Sequence, residues 1–276
     1  MNLVRIALYQ AQSGIEPAAN AERLKGAVRE AGAAGAAMLF TPEMSGMLDR
    51  NRERALGKAR SEDQDLVLAA VRDAAADTGI WVHLGSLALK GDGGKLVNRG
   101  FVIDGQGEIR ARYDKIHLFD VDLPTGESWR ESAMYQGGRS AVVVPDTPVG
   151  KMGLTICYDL RFPELFQRLS EAGAEVIAVP AAFTVPTGKA HWQVLMRARA
   201  IEAELFIVAA AQAGHHEDGR ETYGHSLVAD PWGELLLEMG GEPGLAFAEI
   251  DLGRIAEVRA RIPVHQHRRP IAPVAN

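Results

Sequence analysis

The chain has 276 residues and a single cysteine, so any covalent thiol chemistry must run through Cys157. Cys157 closes the apolar run Gly153-Leu154-Thr155-Ile156 and precedes Tyr158-Asp159-Leu160-Arg161-Phe162-Pro163, where proline suits the first turn of a helix. The thiol is therefore expected at a strand-to-helix junction. Unpaired N–H groups and the positive dipole end at such a junction lower a thiol pKa and can hold an oxyanion. A lone cysteine can equally be a small buried hydrophobe, and placement alone does not separate the two.

Two charged residues stand at other expected strand ends. Lys115 closes Ile109-Arg110-Ala111-Arg112-Tyr113-Asp114, and Glu43 follows Phe40-Thr41-Pro42. A lysine there can stabilise developing negative charge or favour a thiolate, and a carboxylate fixed by proline can act as a base. The plain alternatives are a solvated surface lysine and a loop carboxylate. His83, His117, His191, His215, His216 and His225 offer no single Cys–His pairing by spacing. His265 and His267 lack a metal-binding pattern, so neither metal nor cofactor is expected. Arg197, Arg199, Glu202 and Glu204 fall at helical spacing and read as a structural salt-bridged face.

The elements that must position these residues alternate between strand and helix patterns. Strands are expected at Val4 to Gln10, Ala36 to Phe40 and Trp81 to Leu89, with helices at Pro17 to Ala34 and Glu62 to Asp77. Asp104-Gly105-Gln106-Gly107 separates two alternating runs, Leu96 to Ile103 and Ile109 to Tyr113, and reads as a hairpin turn. In the second half, strands are expected at Ala141 to Val144, Met152 to Ile156, Val176 to Val179 and Phe206 to Ala211. Helices are expected at Pro163 to Ala172 and Lys189 to Leu205. Strands at His225 to Ala229, Glu234 to Leu237 and Leu245 to Ile250 follow, the first two joined by Asp230-Pro231-Trp232-Gly233. No linker or fixed-period repeat interrupts this order, so a single domain over 1–276 is expected, with 262–276 as a tail over the surface or a partner subunit.

Composition narrows the function classes. The apolar fraction of 47% fits an ordered globular fold. A net charge of −6, with 30 dispersed basic residues, leaves no footprint for nucleic acid. The opening residues lack a signal-peptide pattern and no run reaches membrane-spanning length. One cysteine fits a reducing compartment, and a cytoplasmic location is expected.

Three segments together are similar to the catalytic segments of the nitrilase-like carbon–nitrogen hydrolases: Phe40-Thr41-Pro42-Glu43, Tyr113-Asp114-Lys115-Ile116-His117-Leu118, and Gly153 to Glu164 around Cys157. Ala181-Ala182-Phe183, Gly188 to Trp192, Arg197 to Ile201 and Tyr223 to Ser226 extend the likeness over nearly the whole chain. The resemblance implies a four-layer α-β-β-α sandwich and homodimers or higher homo-oligomers that pair through helices. It implies a thiol amidohydrolase with Cys157 as nucleophile, Glu43 as general base and acid, Lys115 as oxyanion support, and Glu131 positioning Lys115 or substrate. Tyr158, through its backbone N–H, would join the oxyanion site, and Arg161 and Phe183 would face a small amide substrate bearing a carboxylate. The alternative for Arg161 is an ion pair with Glu164 or another acidic neighbour. Lys115 is expected to serve the oxyanion and not a structural ion pair, so that its loss would spare thermal stability.

Within the family, Gly188 to Trp192, Asp230 to Gly233 and Ile262 to Pro270 resemble the deaminated glutathione amidases. The ω-amidases, which act on α-keto acid amides, share the three segments and are the alternative activity. A non-catalytic binding module on the same fold is the alternative of another class. Lys189, where those relatives usually carry proline, is a departure near the inferred pocket.

Overall fold

Side chains alternate between two cores along the first strand, Leu3–Gln10. Ile6 and Leu8 enter one hydrophobic cluster while Ala7 enters another. The same division holds for Met38 and Phe40 against Leu39, and for Val102 against Phe101 and Ile103. A sheet with two apolar faces must be covered twice. The computed structural model, which describes residues 3–122, 126, 128–272 and 274, shows how.

The first sheet runs in the order Gly244–Asp251, Leu3–Gln10, Met38–Phe40, Trp81–Lys90, Leu96–Ile103, Ile109–Asp114, with Tyr135–Gln136 pairing beside Leu96 and Val97. The second runs Leu235–Glu238, Leu227–Ala229, Phe206–Ala209, Val176–Ala178, Gly150–Leu154, Val142–Thr147. Each sheet has three central parallel strands flanked by antiparallel ones. Parallel neighbours need crossover helices. Helices Pro17–Ala33 and Leu66–Thr78 serve the first sheet, and Pro163–Glu171 and Val185–Ala203 the second. Leu24, Val28, Val67 and Val71 of the first helix pair pack on the outer face of the first sheet. Phe166, Leu169, Trp192 and Met196 share the cluster of the second sheet, which also receives the inner face of the first. The layers are therefore α-β-β-α, as the resemblance implied.

Some elements were not legible in the pattern. The helix over Val185–Ala203 begins four residues before Lys189, with proline in its first turn. The helices Arg52–Lys58 and Gly253–Arg261, the ribbon Asp120–Asp122 with Ser128–Arg130, and the hairpin Ala213–His215 with Glu221–Tyr223 are additional. Strands of three residues are too short to display alternation. Part of the expected tail lies on the chain's own helices: His265 Nε2 meets Ser170 Oγ at 3.1 Å and Glu204 Oε2 at 3.4 Å, and Arg268 pairs with Glu171. Residues 273, 275 and 276 of that tail, like residues 1 and 2 of the expected domain, lie outside the described residues.

Candidate active site

The C-terminal ends of the parallel strands from both sheets converge, the usual place for a site in such sheets. Bridges between Ala11 and Gln212 and between Ala181 and Ala211 tie these ends together. Glu43 lies three residues past Met38–Phe40. Its backbone is held by Gln212, whose Nε2 donates to Glu43 O at 2.9 Å. Gly85 lets this segment approach: a Cβ there would stand 2.1 Å from Thr41 O and 2.5 Å from Pro42 O. Any side chain at position 85 would displace the backbone that carries Glu43.

Cys157 opens a 3₁₀ turn, Cys157–Arg161, between the strand Gly150–Leu154 and the helix Pro163–Glu171. Its φ is +49°, a conformation that side-chain-bearing residues seldom adopt. The turn is held by Asp159, which is fully buried. Its carboxylate accepts from Ile156 N at 2.9 Å, Tyr113 Oη at 2.6 Å and His117 N at 3.1 Å, and lies 2.7 Å from His117 Nδ1. Cys157 N donates to Pro180 O at 2.9 Å, and Arg199 Nε donates to Leu160 O at 3.0 Å. Asp159 escaped the reading of functional residues, although an acid three residues past a cap position often reaches back to the cap N–H.

Cys157, Glu43 and Lys115 are 7%, 4% and 2% exposed, so Lys115 is not a solvated surface lysine. Lys115 Nζ donates to Glu43 Oε1 at 2.9 Å and to Glu131 at 2.9 and 3.1 Å. Glu43 Oε2 accepts from Ala182 N at 3.0 Å, and Glu131 Oε2 from Phe119 N at 2.6 Å. Asn98, absent from the sequence-derived set, donates to Glu43 at 2.9 Å and Glu131 at 3.3 Å. The segment before Glu131 is the ribbon with Ser128–Arg130, and Glu131 itself opens a 3₁₀ turn.

These surroundings set the protonation states. Burial pushes the Lys115 ammonium down, but the charges of Glu131 and Glu43 outweigh it and hold it well above its ordinary 10.5. For Cys157, burial and the adjacent Glu43 carboxylate push the thiol well above its ordinary 9.0, and Lys115 only partly opposes them. The expected lowering by a helix end is therefore corrected. The turn at Cys157 is too short a helix for its dipole to match desolvation and a neighbouring carboxylate. The thiolate absorbance difference near 240 nm between this chain and Cys157→Ala is accordingly expected to be absent up to about pH 9. A thiolate band at neutral pH would contradict a resting thiol.

The thiol, Glu43, Lys115 and Glu131 open onto a cavity of about 520 Å³, a size suited to a small molecule. Tyr158, Arg161 and Phe183 line it. The Tyr158 backbone N–H makes no hydrogen bond among the described residues. Phe183 packs edge-on against Trp192 at 4.9 Å. Arg161 lies over the rings of Phe183 and Tyr158, at 5.6 and 6.0 Å, and its Nη atoms are 3.3 Å from His191 Nδ1. It has no acidic partner among the described residues. Glu164, the alternative partner, pairs with Arg168 at 2.7 Å. Arg199 pairs with Glu202 as a structural face requires, whereas Arg197 bonds Gly233 O and Glu204 turns toward the tail. Lys189 is exposed and does not line the cavity, so the departure there leaves its walls unchanged.

A family profile described as carbon-nitrogen hydrolase matches residues 5–260. The chain is 42% identical over 247 residues to the deaminated glutathione amidase of Rattus norvegicus, covering 88% of this chain and 75% of that protein. Among solved structures it resembles the NitFhit protein of C. elegans, with TM-score 0.90 and 38% identity over 97% of this chain, and it spans 65% of that chain's length. It also resembles an amidase variant of Nesterenkonia sp. AN1, with TM-score 0.77 and 27% identity, covering 96% of this chain and 99% of that one. That amidase carries acrylamide added to its active-site cysteine.

Proposed function

The chain belongs to the carbon–nitrogen hydrolase family, and from that premise we propose that it is a thiol amidase for deaminated glutathione, with Cys157 as nucleophile, Glu43 as general base and acid, and Lys115 as oxyanion support. It is a hydrolase of linear amide C–N bonds. The observation that carries the assignment of roles is one buried cluster, in which the Cys157 thiol lies beside the Glu43–Lys115–Glu131 ion group on the wall of the cavity.

The chemistry follows from the resting charges. A neutral thiol needs a base at the moment of attack, and Glu43 supplies it. As sulfur bonds to the amide carbon, the carbonyl π electrons move to oxygen, where the Lys115 ammonium and the Tyr158 N–H stabilise them. Lys115 has three donors. At rest they reach Glu43 Oε1 and both Glu131 oxygens, and the longer contact to Glu131, at 3.1 Å, is the one that yields to the oxyanion. Collapse of the intermediate breaks the C–N bond, and Glu43 returns the proton to the leaving amine. The remaining thioester is hydrolysed by a water whose proton Glu43 takes, regenerating the thiol and a carboxylic acid. Glu131 holds Lys115 in place, with its own carboxylate fixed by Phe119 N.

Arg161 gives the substrate class. A guanidinium with no acidic partner among the described residues, facing a cavity between two aromatic rings, suits a substrate carboxylate. Deaminated glutathione carries such groups, as do the α-keto acid amides. The test is a panel of deaminated glutathione, an α-keto acid amide and a neutral amide of similar size, assayed for product and for acylation of Cys157 by intact mass. Deaminated glutathione should give the highest kcat/KM, and Arg161→Met should cut kcat/KM about 10- to 100-fold on the charged substrates alone. A preference for the α-keto acid amide would make the chain an ω-amidase. Absence of both turnover and acylation would leave a binding module.

The chain is further proposed to act as a cytoplasmic homodimer or higher homo-oligomer of one domain. Val194 and Ile201, seven residues apart on the helix Val185–Ala203, are exposed, as are Trp232 and Leu236. They would give helix-to-helix pairing an apolar face.

A further inference from the structure

Asn98 touches all three charged members of the cluster. Its backbone carbonyl accepts from Lys115 N at 2.9 Å. Its side-chain amide, buried in the strand Leu96–Ile103, donates to Glu43 Oε1 at 2.9 Å and to Glu131 Oε1 at 3.3 Å. Both neighbours are acceptors, so only the NH2 end of the amide can face them. The other end, Oδ1, is buried without a hydrogen-bond partner among the described residues. Such orphaned acceptors are uncommon in folded proteins. The fold therefore tolerates a local destabilisation in order to place two neutral N–H donors between two carboxylates.

Lys115 can neutralise only one of those two charges. Like-charged carboxylates sharing a site tend to take up a proton between them, and a shared proton would occupy the base. We propose that Asn98 is a positioning residue for the hydrolysis, giving one amide hydrogen to each carboxylate so that Glu43 and Glu131 stay separate anions around a single lysine and Glu43 stays free to accept the Cys157 proton. The proposal rests on the reading of Glu43 as the general base. It adds a residue that stands behind the base and not on the cavity wall.

The experiment compares pH profiles of kcat/KM for the wild-type chain, Asn98→Leu, Asn98→Ala and Glu43→Gln. Leucine fills the space without donors. It should lower kcat/KM about 10- to 100-fold near neutral pH, chiefly through kcat, and move the acidic limb upward by about one pH unit. Alanine leaves room for a water, which can donate to both carboxylates, so its loss should be smaller. A packing role predicts the opposite order, because a cavity destabilises more than a filled site. Acidic limbs that superpose on the wild type in both variants, or greater damage from alanine, would overturn the proposal. Should Asn98→Leu fail to fold, Asn98→Ala decides alone: a limb moved upward supports the role and an unmoved limb removes it. Glu43→Gln separates the premises. Retained turnover there defeats the base assignment itself, whereas an inactive Glu43→Gln beside unshifted Asn98 profiles defeats only the role of Asn98.

Discussion

Cys157→Ser is expected to lower turnover by about 10⁴-fold or more while leaving the melting temperature close to that of the wild type. Serine is nearly isosteric and fits the same positive-φ position that opens the turn at Cys157–Arg161. Its hydroxyl is far less acidic than a thiol and a poorer nucleophile, and the base beside it is a carboxylate shared with Lys115, not an imidazole. His117, which packs against the turn, spends its Nδ1 on Asp159 and stacks on Phe162 at 3.5 Å, and His191 turns its Nδ1 to Arg161 at 3.3 Å. Single-turnover assays with intact-mass detection give the direct measurement. No acyl adduct should form on the serine chain, and retention of near wild-type kcat would end the assignment of Cys157 as nucleophile.

Lys115→Met should remove activity by about 10³-fold and also destabilise the fold, contrary to the expectation that this lysine serves catalysis alone. Among the described residues Lys115 is the single cation paired with Glu43 and Glu131, with ion-pair distances of 2.9 Å to each. Removing one partner of a buried ion group leaves uncompensated charge, at a cost of about 3–5 kcal/mol. For a chain of this size that corresponds to roughly 5–9 °C in melting temperature. The deficit should depend on pH with a definite sign. In the variant the two carboxylates gain proton affinity on folding, so the folded state binds more protons than the unfolded one and stability falls as pH rises. Calorimetry at pH 5 and pH 8 would read this as a smaller gap from wild type at the lower pH. An unchanged melting temperature at both would return Lys115 to a purely catalytic role.

Much of this was legible in the sequence because it rests on local rules. Period-two alternation and turn residues located the long strands and the hairpin at Asp104–Gly107, and Pro163 marked the helix after the cysteine. Ordered segments around Glu43, Lys115 and Cys157 carried the family and with it the layered architecture. The ribbon at Asp120–Asp122 and the hairpin at Ala213–His215 were not legible, because short strands gain their stability from the neighbours they pair with and not from their own pattern.

What only the tertiary structure decided is how the charges interact. Asn98 gave no signal as a member of the site and Asp159 only that of an acid past a cap position, since their partners Glu43 and Tyr113 lie 55 and 46 residues away along the chain. The sequence expected a thiol activated by a helix end. Folding instead buries that thiol beside a carboxylate, which raises its proton affinity and shifts the work of activation to Glu43. Residue identity and local spacing determine which groups can do chemistry. Their protonation states depend on desolvation and on charges brought within a few ångströms by distant parts of the chain, and those quantities exist only once the two sheets have closed on each other.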